Sequence, residues 1–173
     1  MDYIESLSDD KMEYLGYEST PSDNAPDQLF YYRSGGSYFT GEYSYEHYIG
    51  FYLKRHIFGI SSFSICSSKN PTNSNVHPLT WKIIGSVDGK NWFVIDSHTN
   101  DNILNGYEYT AHINVEECLV RHLRFLSPTY FALRHLDFFG NLYPYNFIAS
   151  HYLAKCYYSQ MINILLMVIP ILL

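Results

Sequence analysis

The side chains with the most recognition chemistry to offer crowd into one segment, Phe30-Tyr31-Tyr32-Arg33-Ser34-Gly35-Gly36-Ser37-Tyr38-Phe39-Thr40-Gly41-Glu42-Tyr43-Ser44-Tyr45-Glu46-His47, which holds seven aromatic residues and one arginine. A tyrosine ring gives contact area at low entropy cost and its hydroxyl gives a hydrogen bond. Tyr and Ser on Gly-hinged backbone therefore make adaptable surfaces for a protein, a peptide or a stacked sugar. Tyr31, Tyr32, Arg33, Tyr38, Phe39, Tyr43, Tyr45 and His47 are the candidate contacts. The competing reading is that several of these rings simply plug the end of a folded body. A second, polar segment runs from Ser67 to His77 and adds Asn70, Asn73 and His77 as candidates, with a solvated loop as the plainer alternative.

Catalytic chemistry is poorly provided for. The eight histidines are scattered, with no pair at the i, i+4 spacing of a helical zinc site and no Cys-x-x-Cys. Gly35-Gly36 does not form a phosphate loop after a strand. Asp96, Asp101 and Glu108 flank one loop and suit a calcium ion, but a solvated acidic loop is the simpler account. His98, near Asp96 and Asp101, has no nucleophile beside it to serve. The expectation is a protein that is not an enzyme and needs no metal and no cofactor.

Strands must position these residues. Trp81, Ile83, Gly85 and Val87 alternate with Lys82, Ile84 and Ser86, and Asp88-Gly89 follows. This predicts a hairpin with a tight turn and a tryptophan in each strand, Trp81 and Trp92, both between two sheets. The same alternation recurs at Ile49, Phe51 and Leu53, at Phe63 and Ile65, at Ala111, Ile113 and Val115, and at Leu136 and Phe138. Leu119, Arg121, Leu123 and Phe125 share one face of a further strand, with His122 and Arg124 opposite. Short strands with turns between them and no strong helical period predict an all-β, antiparallel sandwich of jelly-roll type. The 18% aromatic content, with 18 tyrosines and 11 phenylalanines, agrees.

Three zones divide the chain. Residues 1–28 form an acidic lead-in of a first strand or two and polar loop, with one short helical turn at Ser8–Glu13 as an alternative; 29–142 are the sandwich; 143–173 are an apolar tail, for which a helix is one reading. The run at 161–173 is short for a membrane span, so anchor, packed helix and disordered end all stay open. A net charge of −6 disfavours nucleic acid. The acidic start has no secretory pattern, and an odd set of three cysteines, Cys66, Cys118 and Cys156, fits a reducing, cytoplasmic setting. Cys66 and Cys118 could still meet across the sandwich.

Five blocks carry a family resemblance: Tyr48-Ile49-Gly50-Phe51-Tyr52-Leu53; Ile60-Ser61-Ser62-Phe63-Ser64-Ile65; His77-Pro78-Leu79-Thr80-Trp81 leading to Ser86-Val87-Asp88-Gly89-Lys90-Asn91-Trp92; Arg121-His122-Leu123-Arg124-Phe125; and Leu136-Asp137-Phe138-Phe139-Gly140. In this order they resemble the discoidin-like module, or coagulation factor five/eight type C domain, of the galactose-binding-like β-sandwiches. The nearest likeness is to intracellular members found with BTB-type proteins. The end-tying disulfide of secreted members is missing, since residues 1–65 hold no cysteine. The resemblance implies that Trp81, Asp88, Gly89, Trp92, Arg121, Arg124 and Gly140 maintain the fold, and that ligands are held by loops at one end, here 30–47 and 67–77. It implies a non-catalytic binding module. A protein or peptide partner is the first expectation and a carbohydrate or lipid headgroup the alternative, with membrane association through the tail left open.

Overall fold

In the computed structural model the described residues are 2–3, 15–19, 29, 38–39, 47–68, 77–105 and 109–144. They form ten strands: β1 Asp2–Tyr3, β2 Leu15–Ser19, β3 Tyr38–Phe39, β4 His47–Leu53, β5 His56–Ser67, β6 Trp81–Ser86, β7 Phe93–His98, β8 Thr110–Val120, β9 His122–Ser127 and β10 Ala132–Pro144. One sheet runs β1-β10-β5-β8, with β3 also on β10; the other runs β2-β4-β9-β6-β7. Every pairing is antiparallel. The all-β sandwich expected from the alternation is the architecture observed. The acidic lead-in gives strands to both sheets: β1 pairs with β10, and β2 with β4.

Alternation becomes burial. Ile49, Phe51 and Leu53 from β4, Trp81 and Ile83 from β6, and Leu123 and Phe125 from β9 face Phe58, Ile60, Phe63, Ile65, Leu136 and Phe138 from the other sheet. The Phe51 and Phe138 rings meet across the layers at 5.0 Å, and Phe63 meets Trp81 edge-on at 6.1 Å. Each such fully buried side chain contributes roughly 1.5–3 kcal/mol of transfer free energy.

Strict alternation fails opposite Ser61, where β8 bulges against β5. Ile60 pairs with Cys118 but Ser62 with Asn114, so residues 115–117 stand opposite Ser61 alone. The inward set on β8 thus switches from Ala111, Ile113 and Val115 to Cys118 and Val120. Leu119, expected to share the core face of Leu123 and Phe125, instead packs with Ile57, Val87 and Tyr143 in a small outer cluster. An irregular register re-aims every side chain beyond it.

Arg121 is not inside a strand. It is the single bend residue at which the chain leaves the first sheet at Val120 and enters the second at His122. Its side chain donates from Nε to Leu53 O at 2.8 Å and from Nη2 to Lys54 O at 3.1 Å; its amide donates to Ser86 O, and its own carbonyl accepts from Leu53 N.

The turn of the tryptophan hairpin also differs from expectation. Strand β6 ends at Ser86 and β7 begins at Phe93, leaving six residues, 87–92, between them. Asp88 sets this length. Its Oδ1 accepts from the Lys90 and Asn91 amides, both at 2.8 Å, and its Oδ2 from Asn91 Nδ2 at 2.7 Å. The Ser86 hydroxyl donates to Asp88 and accepts from the Gly89 amide. Gly89 sits at φ +73°, the left-handed region where glycine is free of Cβ strain. Trp92 therefore lies in the turn rather than in a strand or between the sheets. Its ring covers the Arg124 guanidinium at 4.1 Å on the outer face, and Tyr48 lies over the same guanidinium at 4.7 Å.

The hydrogen bonds from Asn91 and Lys90, with those of the Asn91 and Ser86 side chains, hold the Asp88 carboxyl well below the usual carboxylate range. A depressed folded pKa stabilises above the unfolded value, near 3.9, and the contribution fades as pH falls below it. Asp88→Ala is expected to lower Tm by a few degrees at neutral pH, with the gap from wild type narrowing in melts run below about pH 4. A constant gap at every pH would rule this out.

Cys66 and Cys118 do not meet across the sandwich. Both belong to the first sheet, where Cys66 is opposite Thr110 and Cys118 opposite Ile60. The helical turn at Ser8–Glu13 and the tail beyond Pro144 lie outside the described residues. Among the described residues, no helix is long and apolar enough to cross a membrane.

Candidate functional site

The two ends of the sandwich differ in kind. At one end lie the turn at 87–92, the corner at Arg121 and the two-residue link Lys54-Arg55. At the other, strand termini are matched by register: His47 with Ser127, Trp81 with His98, Leu133 with Ser67, Cys66 with Thr110 and Ala132 with Phe39. The ends of β5 and β6, of β7 and β8, and of β9 and β10 that border the connections between them therefore lie together, with Ser19, at the end of β2, opposite Ile49 near them.

The sequence candidates distribute unevenly. The backbones of Tyr38 and Phe39 are stitched to Leu133 and Ala132 at this end. His47 and His77 are 3% and 7% exposed, so neither is offered to solvent, and burial pulls the His47 pKa below the ordinary histidine value. Both ring nitrogens of His77 lack hydrogen-bond partners among the described residues. Tyr31, Tyr32, Arg33, Tyr43, Tyr45, Asn70 and Asn73 lie outside the described residues. Of the fold residues, Asp88, Gly89, Trp92, Arg121 and Arg124 serve the far end and the outer face, and Trp81 the core.

The best-defined surface at the loop end belongs to the loop whose sequence suggests a calcium ion at Asp96, Asp101 and Glu108 or an acid/base role for His98. The loop 99–105 is pinned from below by Leu104, fully buried, and by Ile103 against the core. Its backbone is fastened too: Asp101 N donates to Leu79 O at 2.8 Å, Asn100 N to Thr80 Oγ1 at 3.1 Å, Ile103 N to Asp101 Oδ1 at 2.9 Å and Asn105 N to Asn102 O at 2.9 Å. Asn100 takes φ +50°, which asparagine tolerates better than most residues. Tyr109 is locked by reciprocal bonds with Ser67, amide to hydroxyl and carbonyl to amide, each 2.9 Å, while its side chain stays 53% exposed. Asn102, Ile103, Asn105 and Tyr109 line a shallow, open hollow of about 200 Å³. Each asparagine amide both donates and accepts, and the ring offers an apolar face. The only sequence signal for this surface is a run of asparagines between two strands.

Where β7 runs into this loop, Asp96 and Asp101 direct their carboxylates at one imidazole. His98 Nε2 is 2.9 Å from Asp96 Oδ2, and Nδ1 is 2.6 Å from Asp101 Oδ2. The His98 ring stacks on Trp81 with centroids 4.1 Å apart. Burial lowers the His98 pKa, but the hydrogen bonds and charges of Asp101 and Asp96 outweigh it, and the net shift is upward. The Asp101 pKa is lowered, first by its bond to His98 and then by the Ile103 amide. Glu108 lies outside the described residues. Among the described residues no group of His, Cys, Asp and Glu is arranged to hold a metal ion.

Neither a sequence-family model nor any curated protein matches this chain. Solved structures do. A CBM32 carbohydrate-binding module produced by Clostridium perfringens aligns over 78% of this chain and 98% of its own, at TM-score 0.57 and 20% identity. A second from that organism, in complex with GalNAc-β-1,3-galactose, aligns over 73% and 94%, at TM-score 0.55 and 14% identity. A chitosan-binding module from a Paenibacillus chitosanase/glucanase aligns over 72% and 94%, at TM-score 0.55 and 13% identity. At these identities the likeness concerns architecture, and the chain has the discoidin-like, galactose-binding-like β-sandwich fold of the CBM32 modules.

Proposed function

We propose that this protein is a non-catalytic carbohydrate-binding module that holds its ligand at the loop end. The observation that carries the reading is the hollow of about 200 Å³ with an exposed tyrosine ring and two side-chain amides on a fastened loop. A pyranose has an apolar face that stacks on a ring and equatorial or axial hydroxyls that each donate and accept. Asn102, Asn105 and Tyr109 match both needs without charge. Related folds that bind GalNAc-β-1,3-galactose or chitosan support the ligand class. A protein or peptide partner, the first expectation from sequence, rested mainly on tyrosines that lie outside the described residues, and the fold likeness favours the sugar alternative.

Titration calorimetry of the wild type with GalNAc-β-1,3-galactose and chitosan oligosaccharides tests this, beside Tyr109→Ala and Asn102→Ala. Each substitution is expected to weaken binding about tenfold, the loss of one ring face or one hydrogen bond, and to leave the melting curve nearly unchanged. No glycan binding by the wild type, or unchanged affinity in a folded Tyr109→Ala protein, would overturn the reading.

A further inference from the structure

A short ionic clasp ties the loop bearing Asn102 and Asn105 to the edge of the sheet. His98 closes β7, its ring 14° from parallel with Trp81, and its two nitrogens meet carboxylates on different sides. A neutral imidazole carries one N–H, so it donates to one carboxylate while a lone pair faces the other; only the imidazolium donates to both. Asp101 passes the constraint on, because its second oxygen accepts from the Ile103 amide and its own amide is bonded to Leu79 O. Asp96 is the better-anchored partner, within β7 and holding the Ser97 amide through Oδ1. The groups meeting the ring are thus Asp96 from its own strand, Asp101 from the loop and uncharged Trp81 from β6. No lysine or arginine pairs with either carboxylate among the described residues.

We propose that His98 is a positioning residue whose protonated ring clasps Asp96 to Asp101, orders the loop 99–105 and makes ligand capture at the loop end tighter in mildly acid than in alkaline solution. The ordering of the loop stands on the geometry alone; the effect on capture rests on the carbohydrate-binding reading. A group whose folded pKa is raised contributes fully below its unfolded value, near 6.5, and loses that contribution as pH rises through the folded value. The clasp therefore opens on the alkaline side. Asp101, with its lowered pKa, limits it only below the carboxylate range, near 3.9.

Proton–nitrogen correlation spectra of the wild type from about pH 5.5 to about pH 9 decide the matter. The Asn102, Ile103 and Asn105 amides are expected to shift with the same midpoint as the His98 ring, above the ordinary histidine value. Asp101→Asn should move that midpoint down, and His98→Gln should abolish the loop transition. Glycan affinity of the wild type should fall roughly tenfold across the range, the loss of one charge-assisted hydrogen bond, and be flat in His98→Gln. Loop amides that ignore the His98 titration would overturn the clasp, whatever the sugar result. Co-titrating amides with affinity independent of pH would overturn the coupling to capture. Co-titrating amides in a protein that binds no glycan would uphold the clasp and overturn the function proposed above.

Discussion

Gly140→Ala is expected to unfold the domain. A Cβ built at Gly140 would lie 1.8 Å from Gly59 O, 2.8 Å from the Gly59 carbonyl carbon and 3.1 Å from Ile60 Cα. All three are backbone atoms of the neighbouring strand, so no side-chain rotation relieves the overlap. Nor can β5 retreat: Gly59 is opposite Asn141 on one side and Leu119 on the other, and Gly140 also faces Asp2 of β1. Separating the strands would break the ladder at the centre of the first sheet, where the register already shifts between Phe139 and Gly140. The expected cost is about 4 kcal/mol or more, most of the stability of an ordinary domain. Circular dichroism and thermal melts measure it. A cooperative transition within a few degrees of wild type would show that the strands can move apart after all.

The second large effect is at Trp81. The ring is fully buried and bridges the layers: edge-on to Phe63 of the opposite sheet, stacked at 5.6 Å on Phe125 of its own, and flat against His98. Trp81→Ala leaves a cavity among rigid rings that cannot collapse into it, and is expected to cost about 3–5 kcal/mol in urea unfolding. It also removes the surface on which the His98 clasp rests. Trp81→Phe separates the contributions. The indole Nε1 has no hydrogen-bond partner among the described residues, so phenylalanine forfeits ring area and no polar contact. Its cost should be about 1–2 kcal/mol. Equal losses in the two variants would mean that stacking on the six-membered ring alone contributes little.

Most of the sandwich was legible because its strands bury one face. Ile49, Phe51 and Leu53, or Leu136 and Phe138, carry a period of two that only a half-buried sheet explains. The errors fall where local chemistry overrides that period. Asp88 gathers two amides and a side chain, lengthening a turn that Asp-Gly alone suggests should be tight, and so expels Trp92 to the outer face. The excess residues opposite Ser61 invert the faces of β8, so Leu119 leaves the core and Val120 enters it. Neither device has a hydropathy signature.

The candidate site was less legible for a topological reason. Asn102, Asn105 and Tyr109 follow no periodic pattern, and they become a surface only because β7 ends and β8 begins at the same end of the sandwich. The recognisable hairpin motif, by contrast, uses its polar chemistry on its own turn: Ser86, Asp88 and Asn91 satisfy one another and the backbone. A motif of that kind announces architecture, and the variable loops at the opposite end are where chemistry differs from one member of a fold to another.

The corner at Arg121 has a bearing on how faithfully the chain assembles. Strands β8 and β9 are one ribbon with a single bend, clamped to Leu53, Lys54 and Ser86. A one-residue slip of β8 against β5 would have to be carried through the bend into β9, turning Leu123 and Phe125 outward and Arg124 into the core. Each alignment thereby proofreads the other, and a misthreaded intermediate pays in both layers at once.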